Sequence, residues 1–218
     1  MWRDDEELFG MMREKLFTAV VGDVMDKMGL LHQFLPPSIH PLRNDMVVLG
    51  RAMPVLHVDS TAPKKPFGMM LEALDDLKPR EVYLASGGTP NYALWGELMS
   101  TRAIRLGSPG AVLNGYSRDT PGILALNFPT FSMGSYAQDQ GPRGEVVDFR
   151  VPLNLGGVAI EPGDIIFGDV DGVLAIPKKE EEEILQLALK KAETENAVRK
   201  AIENGMSTVE AFATYGVM

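Results

Sequence analysis

The sequence predicts an α/β fold: one domain spanning 1–218, with helices over 1–30 and 180–218 at its ends. Apolar residues recur at helical spacing near both termini, first at Leu8, Met11, Met12 and Leu16 and later at Ile184, Leu187, Ala188 and Ala192. Between them, short β-rich runs alternate with helical stretches and glycine- or proline-marked turns. The length of 218 residues and 45% apolar content suit a single buried core.

The elements follow in order. The spacing of Leu8 to Leu16 predicts a first helix, and a second short one is expected over Val24–Met28, capped by Thr18 or Asp23. Leu35-Pro36-Pro37-Ser38 is a breaker. Met46–Val58 is rich in apolar and β-branched residues and reads as a strand, with Pro54 placing it at an edge or a bulge, because proline offers the ladder no N–H. Met69–Leu77 reads as a helix ending near Pro79, and Glu81–Ala85 as a strand.

The turn cluster Gly87-Gly88-Thr89-Pro90-Asn91 leads into a helix holding Leu98, Thr101, Arg102 and Arg105, with Gly107 as its stop. Ala111–Leu113 is a short buried strand, so Gly115–Asp119 lies just past its carboxyl end, where open α/β sheets collect ligands. Strands are also expected at Phe131–Met133, Val146–Val151, Val158–Ile160, Ile165–Phe167 and Val173–Ile176. Glu161-Pro162-Gly163-Asp164 is a tight turn. Gly168–Gly172 reads as a hairpin turn with Asp-Gly chemistry; it lacks the closing Glu of a calcium loop. A long helix from Glu180 to Asn204 stops at Gly205, and Ser207-Thr208-Val209-Glu210 is a capping box opening a last helix.

Composition narrows the chemistry. A net charge of -9 argues against a nucleic-acid surface, which needs clustered Lys and Arg. The absence of cysteine removes disulfides, thiolate nucleophiles and Cys-ligated zinc, and His32, His40 and His57 have no zinc-protease spacing. A metal, if used, would be a hard cation on oxygen ligands, magnesium or manganese. The acidic start, Met1 to Glu7, lacks a signal-peptide core, and no apolar run reaches the roughly 18 residues of a membrane span. A cytoplasmic protein is expected.

The segment from Ala93 to Asp119 carries the chemistry. In Trp95-Gly96-Glu97-Leu98-Met99, a helix starting here offers free N–H groups and a positive dipole end to an anion, with Gly96 allowing close approach. The same residues also suit a packing glycine and a first-turn acid. Arg118 can grip a carboxylate through two parallel hydrogen bonds, and Asp119 beside it can ligate a cation; a surface Arg-Asp pair in a turn is the plainer alternative. The 20 residues between Glu97 and Arg118 fit one helix and one short strand, so the three side chains can meet at one end of an α/β layer.

This run, with Gly107, Gly110 and Asn114-Gly115-Tyr116-Ser117-Arg118-Asp119, resembles the class II pyruvate aldolases typified by 4-hydroxy-4-methyl-2-oxoglutarate aldolase, a family related to the RNase E activity regulator A proteins. The family spaces an acid and an Arg-Asp pair by 20 residues, as Glu97 and Arg118-Asp119 are spaced here. The likeness continues through Asn154–Val158, Pro162–Asp164, Gly168–Val173 and Tyr215–Val217. It implies an αββα-type sandwich of the swivelling phosphohistidine-domain kind, assembled as a trimer or dimer of trimers with sites between subunits.

The resemblance further implies a metal-dependent lyase that cleaves a 4-hydroxy-2-oxo acid to pyruvate and a carbonyl product, or decarboxylates oxaloacetate. Asp119 would hold Mg2+ or Mn2+, with Glu97 reaching the metal through water and relaying protons. Arg118 and the backbone of Gly96, Glu97, Leu98 and Met99 would bind the pyruvyl group. Asp23 is the candidate acid lent by a neighbouring subunit, with acids of the C-terminal helix as alternatives. The alternative is a non-catalytic trimer that binds an RNase or another protein; a lyase or hydratase-like reaction on an unrelated carboxylate is a third.

Overall fold

A computed structural model of the chain describes residues 2–61 and 65–217. These divide into two compact units, the terminal segments 1–31 and 179–218, and the central segment 32–178.

In the terminal unit, the Asp4 side chain accepts from the N–H groups of Glu6 and Glu7 and so starts α1 (Asp5–Lys15). Helix α2 (Thr18–Lys27) begins about two turns before the expected Val24. Its cap is Phe17, which makes no side-chain cap hydrogen bond, and neither Thr18 nor Asp23 caps it; both lie within the helix. The buried run Val20, Val21 and Val24 explains the difference, since burial overrides the weak helix propensity of β-branched residues.

The central unit begins with β1 (His40–Pro41), β2 (Val48–Asp59), α3 (Met70–Asp75), β3 (Glu81–Ser86), β4 (Ala93–Trp95) and α4 (Glu97–Leu106). It continues with β5 (Ala111–Leu113), β6 (Tyr116–Ser117), α5 (Thr120–Ala125), β7 (Thr130–Ser132) and β8 (Gly144–Phe149). Two hairpins close it, β9 (Leu153–Leu155) with β10 (Val158–Ile160), and β11 (Ile165–Asp169) with β12 (Gly172–Ile176). The main sheet runs β1-β7-β5-β3-β2-β11-β12, with β8 also paired to β2. Strands β2, β3, β5 and β7 are mutually parallel, and α3, α4 and α5 lie on the connections between them.

Strict alternation sorts the side chains of these strands onto two faces. Met53, Val55, Tyr83, Ala85, Ala111 and Leu113 share a core with residues of α3, α4 and α5. Ala52, Val82, Leu84 and Val112 share another with Leu153, Leu155, Val158 and Ile160 of the β9–β10 hairpin. A helical layer therefore covers one face of the sheet and a second β layer the other.

Pro54 does not mark an edge strand, as expected from sequence alone; it lies in the middle of β2, opposite Leu84 of β3. The other flank of β2 changes partner there, from β11, whose pairing ends at Arg51, to β8, whose pairing starts at Val55. The missing N–H falls in that gap, and the Pro54 carbonyl still accepts from Arg150. A register irregularity does follow, between Leu56 and His57.

The chain returns to the terminal unit with α6 (Glu181–Glu203), which contacts α2 and α7 (Thr208–Tyr215). Helix α7 opens with the expected capping box, Ser207 and Glu210 bonding reciprocally. No helix among the described residues is long and apolar enough to cross a membrane.

Candidate functional site

The meeting of Glu97 with Arg118-Asp119 comes from two very short strands. β4 pairs with β6 in parallel, Ala93 opposite Tyr116 and Trp95 opposite Ser117, so both carboxyl ends finish side by side. The Arg118 N–H donates to the Trp95 carbonyl at 2.9 Å, which ties the two ends together. β4 runs straight into α4 through Gly96, and β6 into α5 through Asp119.

Trp95 anchors this junction. Its indole stacks on Phe128 and tilts against Tyr83, with centroids 5.8 and 4.9 Å away. Its Nε1 donates to Ser100 Oγ at 2.7 Å, and that hydroxyl donates to the Gly96 carbonyl at 3.1 Å. The indole N–H is thereby satisfied in full burial, and the first turn of α4 is fastened to the end of β4.

Two glycines permit the packing at this point. A Cβ on Gly96 would come within 2.7 Å of Asp119 Oδ2, and one on Gly122 within 2.5 Å of Glu97 Cγ. Asp119 itself takes a left-handed conformation, φ 58° and ψ 32°, which is sparsely populated for residues other than glycine and recurs at functional sites. It makes no side-chain cap to α5.

Arg118, Asp119, Gly96, Leu98 and Met99 line one cavity of ≈ 430 Å³, within the size range of small-molecule sites. Arg118 Nη1 lies 3.2 Å from Asp139 Oδ1, and its Nε lies 3.9 Å from Asp119 Oδ2. Glu97 is placed differently. It does not line the cavity; its side chain runs over Gly122, and Oε1 accepts from the Thr101 hydroxyl at 3.2 Å. Asp23 belongs to the terminal unit, where its carboxylate pairs with Lys191 Nζ at 2.9 Å. Burial lowers the pKa of that lysine, but Glu195 and Asp23 together outweigh it and hold the ammonium charged.

Sequence reasoning missed Asp139 and Gln140. They arrive on the loop after β7, which runs beside the small sheet: Ala93 N–H donates to the Gln138 carbonyl, and Ala93 forms a parallel bridge with Asp139. The only signal was a polar stretch ahead of Gly141-Pro142, with no periodicity to mark it. Also unforeseen was the apolar wall supplied by Phe67, Met70, Leu71 and Leu74 around α3.

Among the described residues, no three His, Cys, Asp or Glu side chains gather as a metal cage. One carboxylate at a loop end, 3.9 Å from the Arg118 guanidinium, instead suits a hard cation that keeps most of its waters, as magnesium does. Asp119, on the cavity lining and making no cap to α5, is the residue that would hold such an ion.

Comparison with known proteins agrees with this architecture. A relative from Halalkalibacterium halodurans, named "Putative 4-hydroxy-4-methyl-2-oxoglutarate aldolase", is 34% identical over 89% of each chain. A crystal structure described as one of novel cellulases from gut-associated microbes superposes with a TM-score of 0.82, at 30% identity over 92% of this chain and 89% of that one. Streptomyces coelicolor RraAS2, described as an unusual member of the RNase ES inhibitor RraA family, has the same fold, with a TM-score of 0.80 at 22% identity over 91% of this chain and 99% of its own. Residues 18–175 match the family model described as RraA-like, Aldolase/RraA, and with that match over most of its length the chain belongs to the RraA-like family.

Proposed function

We propose that the chain is a divalent-metal-dependent lyase that cleaves a 4-hydroxy-2-oxo acid to pyruvate and a carbonyl compound, and that also decarboxylates oxaloacetate. The observation that carries this reading is the pairing of β4 with β6. It sets the Arg118 guanidinium, the uncapped Asp119 carboxylate and the start of α4 around one cavity. The name of the Halalkalibacterium relative supports the same reaction class.

In the cleavage, the bond between C3 and C4 breaks, and its electron pair stays on the pyruvyl fragment as an enolate. The 4-hydroxyl loses its proton as the new carbonyl forms, and C3 takes up a proton to give pyruvate. In oxaloacetate the same bond breaks with loss of carbon dioxide, so one enolate-stabilising site serves both. Magnesium or manganese held by Asp119 would supply the positive charge that stabilises the enolate. Arg118 grips the substrate carboxylate, and the free N–H groups of Glu97, Leu98 and Met99 point positive charge at the same anion. Glu97 runs over Gly122 outside the cavity lining, so its part is to reach the metal and substrate through water rather than by contact.

The cellulase description attached to one structural neighbour is a weaker guide. Glycoside cleavage uses two carboxylates flanking the bond, whereas here Arg118 stands against both Asp119 and Asp139. Assembly as a trimer or hexamer in the cytoplasm completes the proposal, and exposed Val209 and Phe212 on α7 offer apolar surface for it.

The test is pyruvate release from 4-hydroxy-2-oxo acids and carbon dioxide release from oxaloacetate, with and without magnesium or manganese. Turnover should vanish in excess EDTA, return with the metal, and be absent in a folded Asp119→Ala protein. Full activity in EDTA would refute the metal-dependent mechanism. No turnover on any substrate with metal present would leave the RNase-binding or protein-binding regulator as the better reading.

A further inference from the structure

Beyond the pyruvyl end, the cavity has a lining of its own. Phe67, Met70, Leu71, Leu74 and Met99 form an apolar wall beside Trp95. The charged lining residues among those described are two arginines and three aspartates, and one of these, Asp119, is the proposed metal ligand. In the reading above Arg118 is taken by the pyruvyl carboxylate, and Arg102 is engaged by Asp75 through Nε at 2.7 Å. A second substrate carboxylate placed against this wall would lose water without gaining a free cation among the described residues, and would face Asp75 and Asp139.

One uncharged amide lines the cavity. Gln140 is 2% exposed, and neither Nε2 nor Oε1 has a hydrogen-bond partner among the described residues. Leaving both atoms of a buried amide unpaired is costly, and native proteins seldom do so without a ligand or water to satisfy them. An amide N–H can donate to an alcohol or carbonyl oxygen; the oxygen on C4 of the substrate is one throughout the reaction.

We infer that this site selects 4-hydroxy-2-oxo acids whose C4 substituent is apolar, with Gln140 donating to the C4 oxygen and the Phe67–Leu74 wall receiving the substituent. The inference rests on the lyase reading above and narrows its substrate class. The carbonyl product would then be an alkyl or aryl aldehyde or ketone, and not a 2-oxo acid. In the reverse direction, C3 of pyruvate gives up a proton and bonds to the aldehyde carbon, whose oxygen takes a proton to become the 4-hydroxyl.

The experiment compares kcat/KM for pyruvate release from the aldols of pyruvate with isovaleraldehyde and with benzaldehyde against that from 4-hydroxy-4-methyl-2-oxoglutarate. Oxaloacetate decarboxylation is followed separately as a readout of the enolate half. The apolar substrates should lead by at least tenfold. Leu71→Arg, a half-exposed position where a cation is tolerated, should shrink that ratio at least tenfold. Gln140→Leu, which removes an unpaired buried amide and should fold, should lower kcat/KM on the apolar substrates at least tenfold.

A preference for the dicarboxylate, with oxaloacetate still decarboxylated, would overturn the inference while leaving the lyase reading intact. Unchanged kinetics in Gln140→Leu would remove that residue's role. Absence of every reaction, oxaloacetate included, would overturn both readings together.

Discussion

His57 should make the protein lose stability as the pH falls below neutrality, well before most carboxylates titrate. It is 1% exposed on β2, and neither ring nitrogen has a hydrogen-bond partner among the described residues. Burial without a compensating partner lowers its pKa from 6.5 to about 4. The native state therefore keeps the ring neutral while the unfolded chain takes up a proton below its own, higher value. The stability this neutral ring contributes is complete above the unfolded pKa and is lost as pH falls towards the folded one.

That depression corresponds to about 3 kcal/mol when fully expressed, and about 2 kcal/mol of it is lost between about pH 7.5 and about pH 5. His57→Leu removes the titrating group together with two unsatisfied polar atoms, so it should be neutral or stabilising at neutral pH. Its urea-unfolding free energy should fall less than the parent's by about 2 kcal/mol over that pH range, at one ionic strength and one protein concentration. Equal slopes for the two proteins, or an NMR titration placing the His57 midpoint above about pH 6, would refute the argument.

Other outcomes follow from the site and its supports. Arg118→Ala should lower kcat/KM for pyruvate release at least tenfold, and Arg118→Lys should recover only part, because an ammonium cannot reproduce the planar fork. Gly122→Ala puts a methyl against the stem of Glu97, so it should depress kcat more than substrate affinity and imitate Glu97→Gln; steady-state kinetics on both variants will show whether they move together. Arg150 donates to both oxygens of Glu81 and to the Asp76 carbonyl at the end of α3, so Arg150→Met should cost about 1–3 kcal/mol in chemical denaturation, discounted for its partial exposure. Light scattering at micromolar concentration should give a trimer or a multiple of it; a fully active monomer would contradict a shared site.

Glu97 and Arg118-Asp119 could be picked out of the sequence because their residue types and spacing are local properties, and one helix plus one strand fits between them. The long elements were legible for the same reason: α4 between Gly96 and Gly107, α6 with its apolar stripe, and α7 with its capping box each carry their own signal. Strands β4 and β6, of three and two residues, have no room for a periodic pattern, and α5, of six, has little more. Yet these elements set the geometry of the site. Pro54 misled in the opposite sense, because a residue cannot announce that its neighbour strand will end beside it.

By itself the sequence determined the α/β class, the helical ends, and the acid and Arg-Asp spacing on which the family resemblance rests. Each of these depends on hydrophobic period, turn chemistry or residue type within one stretch of chain. Only the tertiary structure decided that Glu97 leans away from the cavity over Gly122, that Asp139 pairs with Arg118, and that Gln140 is buried without a partner beside an apolar wall. Those facts join residues from strand ends, helices and loops far apart in the chain. Their distances and burial come from parallel strand pairing and side-chain packing, which no single segment encodes.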